Sequence, residues 1–126
     1  MKKVLVDTSV IVEFLRVKEE ETLYEKVLGE KIQPVVSFIT PAELWAGESV
    51  WESKEKAKFL EIVLSGVEVV FPGVSTLKLA GKLRAKYKIS LLDAFVAAAA
   101  IEEKLSLATL NTKDFGKIKG VKLWRG

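Results

Sequence analysis

Four acidic residues stand where the sequence changes character, and each falls at or just before the start of a helical pattern. Asp7 lies in "VLVDTSVIVEFL" (4–15), Glu43 in "PVVSFITPAELWAG" (34–47), Asp93 in "KISLLDAFVAAAA" (88–100) and Asp114 in "LATLNTKDFGKI" (107–118). Three of them follow a short apolar run that reads as a buried strand, and Asp93 leads a nearly continuous apolar helix. Taken singly, each acid suits a helix cap. Thr40, Pro41 and Glu43 have the order of an N-cap, first helical residue and capping-box acid, and Ser90 with Asp93 repeats the device. A carboxylate in a first turn stabilises a helix by about 0.3–1 kcal/mol through the dipole and the free amides. Taken together they point elsewhere. Ligands of an open α/β sheet collect beyond the carboxyl ends of its strands. If the strands are neighbours, the carboxylates converge there, and converging carboxylates repel unless a proton or a cation intervenes.

Composition narrows the chemistry. The chain of 126 residues has no cysteine and no histidine. Disulfides, thiolate nucleophiles and thiolate-bound zinc are therefore excluded, along with the commonest general base. Hydrolytic work is left to carboxylates, lysine and hydroxyls, and an all-oxygen site prefers a hard cation, Mg²⁺ or Mn²⁺. The formal charge of +3 is compatible with a nucleic-acid partner without being diagnostic of one. No apolar run approaches the roughly 20 residues of a membrane span, and "MKKVLVD" is too short to be a secretory signal, so the expected location is the cytoplasm, away from membranes.

The elements that must position these acids alternate. Strand-like runs occur at 3–6, 34–38, 67–71, 105–109 and 121–124, and helical periodicity at 19–30, 53–66, 74–88 and 90–104. Ser53 and Gly66 frame one of these helices as caps. Alternation of this kind predicts one α/β domain over 1–126, three-layer α/β/α, with a mostly parallel central sheet of four to five strands. Lys78, Lys82 and Lys86 repeat at i, i+4, with Arg84 off that stripe and a short way before Asp93. A lysine row is an ordinary solvated face first, whereas Arg84 has the planar fork that grips phosphate. Trp45 and Trp51 are expected on one helix after Glu43, for packing, base stacking or a partner's helix, and Trp124 in the core.

The segments "VLVDTSVIVEFL", "ITPAELWAG", "ISLLDAFVAAAA" and "LATLNTKDF", in that order over nearly the whole chain, resemble the PIN domain, a metal-dependent ribonuclease fold. Within it the likeness is to the VapC toxins of toxin–antitoxin pairs. The resemblance implies an endoribonuclease that hydrolyses RNA phosphodiesters with Mg²⁺ or Mn²⁺, leaving a 5′-phosphate and a 3′-hydroxyl. It makes Asp7, Glu43, Asp93 and Asp114 both catalytic and metal-binding. Thr8, Ser9, Asn111 and Thr112 would support them, and Arg84, Lys82 and Lys86 would hold the RNA. Its partners would be RNA, a VapB-like antitoxin covering the site, and a second copy in a homodimer. A PIN-fold module that cleaves nothing is the alternative within the family. A phospho-acceptor receiver domain would need an adjacent pair of acids after its first strand, where "VLVDTS" offers one. A haloacid-dehalogenase-type phosphatase would carry a second aspartate at the place of Ser9.

Overall fold

A computed structural model describes residues 1–126. Four strands, β1 (Lys3–Val6), β2 (Gln33–Ser37), β3 (Glu68–Val70) and β4 (Leu107–Ala108), form one sheet in the order β3-β2-β1-β4, and all pairs are parallel. Seven helices surround it: α1 (Thr8–Arg16), α2 (Leu23–Gly29), α3 (Ile39–Trp45), α4 (Lys54–Ser65), α5 (Val74–Tyr87), α6 (Leu91–Glu103) and α7 (Thr112–Gly116). The expected run at 121–124 contributes a single parallel bridge, Leu123 to Leu107, because its neighbour β4 is only two residues long.

Side chains alternate across the sheet as the period of a strand requires. Leu5, Val35 and Leu107 point into one core with α5, α6 and Phe115 of α7. Val4, Val6, Val36 and Ala108 point into the other, with α1, α2 and Leu60 of α4. Both faces are thus covered, which explains why β1 and β2 read as continuous apolar runs. The alanine-rich middle of α6 lets that helix lie close, with Ala94 and Ala97 to Ala100 all buried. Trp124 joins the α1–α2 core, as expected.

Local signals account for most helix ends. Ser53 accepts from the amides of Glu55 and Lys56 and opens α4. Thr22 and Glu25 form a reciprocal capping box that starts α2 four residues later than the periodicity indicated. Thr40, expected as the cap of α3, lies inside it. The chain turns helical already at Phe38, so Pro41 falls at the third helical position, where its missing N–H still costs nothing. Trp45 ends α3, whereas Trp51 sits in a separate 3-10 turn (Glu48–Glu52); the two were expected on one helix. Their rings meet at 5.5 Å, and the Trp51 indole donates to the Trp45 carbonyl.

Candidate active site

β1, β2 and β4 end on the same edge of the sheet, and the acids of interest gather there. Asp7 follows β1 directly and occupies the N-cap position of α1 with extended backbone angles, yet its carboxylate makes no capping bond. Oδ2 instead accepts from Ser9 Oγ and Thr109 Oγ1, each at 2.8 Å. Both hydroxyls are themselves oriented. Thr109 Oγ1 accepts the Asn111 amide and Ser9 Oγ the Leu110 amide, so each hydroxyl proton is left to Asp7. Oδ1 has no protein donor. Asp7 is only 6 % exposed, and a buried carboxylate held by two hydroxyls with one oxygen free is a poor helix cap and a good ligand.

Glu43 is held from the other side. Thr8 Oγ1 donates to Glu43 Oε1 at 2.7 Å and also lies 2.9 Å from Thr40 Oγ1. A hydroxyl has one proton, so the relay runs from fully buried Thr40 to Thr8 to Glu43. The capping box expected of Thr40 and Glu43 is replaced by this relay, which ties α1 to α3. Asp93 stands in the first turn of α6 as predicted, its amide donating to Ser90 Oγ at 3.1 Å. Asp114 stands in the first turn of α7. Asn111 caps that helix through Oδ1 and donates from Nδ2 to Asp114 Oδ2 at 3.1 Å, and Lys117 Nζ is 3.9 Å from Oδ1.

Electrostatics link the four. Burial pushes the Glu43 carboxyl above its usual range, the negative charges of Asp7 and Asp93 add to the rise, and the Thr8 bond opposes it. Asp93 is raised in the same way, by burial and then by Asp7 and Asp114, against its bond to Ser90. Every acid singled out from the sequence therefore acts on another. No three of them are placed to hold one ion directly. The donor set is nevertheless that of a hard cation such as Mg²⁺, which characteristically keeps several waters and takes one or two carboxylates.

The other candidates divide. Thr8, Ser9 and Asn111 bond to the acids as described, while Thr112 makes no side-chain bond to any of them. Arg84 gives one N–H to the Ile89 carbonyl at 3.1 Å and braces the corner between α5 and α6; Lys82 and Lys86 are exposed on α5. Sequence reasoning missed Thr109 and the role of Thr40. The available signal was a hydroxyl in or just after a buried strand, too common to single either out.

An apolar groove of about 680 Å³ opens beside Glu43, lined by Val12, Leu15, Leu44, Val50 and Phe59 among others. No helix is long and apolar enough to cross a membrane.

The fold has many solved counterparts. A toxin–antitoxin complex from Klebsiella pneumoniae contains a chain 28 % identical, with a TM-score of 0.73 and 94 % of each chain covered. VapBC2 from Rickettsia felis, solved with a DNA fragment from its promoter, is 26 % identical, with a TM-score of 0.78 over 98 % of this chain and 99 % of the other. DNA-bound VapBC from Salmonella typhimurium reaches a TM-score of 0.81 at 22 % identity, with 98 % of each chain covered, a likeness of fold alone. No curated protein matches the sequence. The PIN domain family matches residues 4–121, nearly the whole length. With a parallel α/β sheet, acids at its carboxyl edge and that match, the chain belongs to the PIN domain family.

Proposed function

We propose that this chain is a divalent-cation-dependent endoribonuclease and the toxin of a toxin–antitoxin pair. The observation that carries this reading is Asp7, a buried carboxylate at a helix start that leaves the helix uncapped and keeps one oxygen free beside three other acids. Asp7 and Asp93 would hold Mg²⁺ or Mn²⁺, with Glu43 and Asp114 around it. Such a cation neutralises charge on the scissile phosphate and acidifies an attacking water.

The chain's own residues supply the rest. Glu43, its carboxyl raised above the usual range by burial, takes the proton of the incoming water. The Thr40–Thr8 relay holds its Oε1 and leaves Oε2 without a protein donor. Asp114, steadied by Asn111, orients water from the far side. Attack by external water leaves a 5′-phosphate and a 3′-hydroxyl.

The Klebsiella pneumoniae and Rickettsia felis relatives, at 28 % and 26 % identity, come from toxin–antitoxin complexes, which supports an antitoxin as partner. The groove beside Glu43 gives such a partner a path to the acids. Exposed Phe71 and Val74 supply an apolar patch of the kind a second copy would cover in a homodimer. The test is incubation of the purified chain with tRNA, rRNA and messenger, with Mg²⁺, Mn²⁺ or EDTA, beside the Asp7→Asn/Asp93→Asn variant. Metal-dependent cutting with 5′-phosphate ends, absent from the double variant, is expected. Cutting that persists in EDTA or in the double variant would overturn the proposal.

A further inference from the structure

Charge divides unevenly along the chain. Residues 1–77, from β1 to the first turn of α5, carry thirteen acidic and nine basic residues; residues 78–126 carry eleven basic and four acidic. All eleven cations are exposed. Two of those four acids, Asp93 and Asp114, belong to the site, and Glu102 accepts from the Ser75 and Thr76 hydroxyls at the far end of α5. Only one of the eleven cations has an ion-pair partner, Lys117 with Asp114.

Part of this basic surface is gathered around one side chain. The Tyr87 hydroxyl accepts the Lys119 amide at 3.0 Å, and Lys86 Nζ lies 5.4 Å from the Tyr87 ring centroid. Tyr87 thus brings the end of α5, with Lys86 and Lys88, beside the segment after α7, with Lys117 and Lys119. Cations at the end of α5 also suit its dipole, but that explains nothing about Lys117 and Lys119 on a different segment. Both segments lead to the acids: Lys88 is two residues before Ser90, the cap on which Asp93 sits, and Lys117 reaches Asp114. Lys86, Lys88 and Lys119 have no ion-pair partner, and like charges so gathered are relieved by a polyanion.

We propose that Lys86, Lys88, Lys117 and Lys119 form a track for the phosphate backbone of single-stranded RNA, leading into the acidic site across the α5–α7 layer. The inference rests on the ribonuclease reading and adds the side from which substrate arrives. Arg84, held to the Ile89 carbonyl, shapes the corner that the track follows.

The experiment is fluorescence anisotropy of a labelled single-stranded RNA of twelve or so nucleotides, in EDTA, between 50 and 200 mM NaCl, with cutting in Mg²⁺ measured in parallel. Four phosphate contacts give a log–log salt slope of about −2.8, or roughly a 50-fold loss of affinity over that range. Lys86→Gln/Lys119→Gln should halve the slope to about −1.4, roughly a 7-fold loss. Lys86→Arg/Lys119→Arg should restore it, and Lys54→Gln/Lys58→Gln on α4 should leave it unchanged. An unchanged slope in Lys86→Gln/Lys119→Gln while the wild type still cuts RNA removes the track and leaves the ribonuclease standing. An equal fall in the α4 variant also removes the track, and absence of both binding and cutting removes both proposals.

Discussion

Replacing Thr109 by valine keeps the shape of a buried side chain and removes one oxygen. That oxygen donates to Asp7 Oδ2 at 2.8 Å and accepts the Asn111 amide at 3.0 Å. A hydrogen bond to a charged group contributes about 1.5–3 kcal/mol, and the Asn111 amide, at a half-buried residue, recovers much of its loss from water. Thr109→Val should therefore cost about 2–3 kcal/mol, which for a chain of this length lowers Tm by about 8–12 °C. Thr109→Ser keeps the hydroxyl and loses one methyl, about 1 kcal/mol. Urea unfolding followed by tryptophan fluorescence measures both. In an Asp7→Ala background the valine should cost less than half as much, since the acceptor is gone. A valine variant as stable as the serine variant, or a cost that persists without Asp7, would refute the picture of Asp7 held through Oδ2.

Other outcomes follow from the same site. Glu43 and Asp93 have carboxyls raised above their ordinary range, so the folded chain binds their protons more tightly than the unfolded one; metal-free stability should fall as pH rises through about 4 and level off above the raised values. Asp93→Asn should flatten that fall in urea titrations at a series of pH values, and an unaltered profile would contradict the assignment. Saturating Mg²⁺ or Mn²⁺, at about 100 times Kd, should add about 2.7 kcal/mol and raise Tm by about 10 °C in a thermal melt, and no shift with either ion would reduce the acids to scattered charges. Ser90→Ala should cost about 1 kcal/mol of stability through loss of the α6 cap, and should also weaken metal binding, because Asp93 is seated on that turn.

How much of this was legible depended on distance along the chain. β1, the caps of α4 and α6, and the placement of Asp7, Asp93 and Asp114 are local matters, settled by an apolar run or by a capping side chain (Ser53, Ser90, Asn111) at the head of a helix. The start of α3 is not. It is fixed by where β2 stops pairing with β3, and by Phe38 packing edge-on against Phe95 of α6 at 5.1 Å, so the Thr40 pattern matched a capping box that does not form. The run at 121–124 has strand character, but its pairing is limited by the two residues of β4. Of the two hydroxyls on Asp7, Ser9 is local and was named from the sequence, whereas Thr109 was least accessible of all. Thr109 is 102 positions from Asp7, and only the β1–β4 pairing brings them together. Thr8, Ser9 and Asn111, close to their acids along the chain, could be named from the sequence, whereas Thr109 and the role of Thr40 come from the topology.

The central claim is that these carboxylates make one cation site, and the most direct test is calorimetric titration of Mn²⁺ into the wild-type chain, Asp7→Asn and Asp93→Asn. The account predicts saturable binding to the wild type, accompanied by proton release that grows as pH falls toward the raised carboxyls of Glu43 and Asp93, and at least tenfold weaker binding in each variant. Equal Mn²⁺ binding in all three proteins, or none in the wild type, would contradict it.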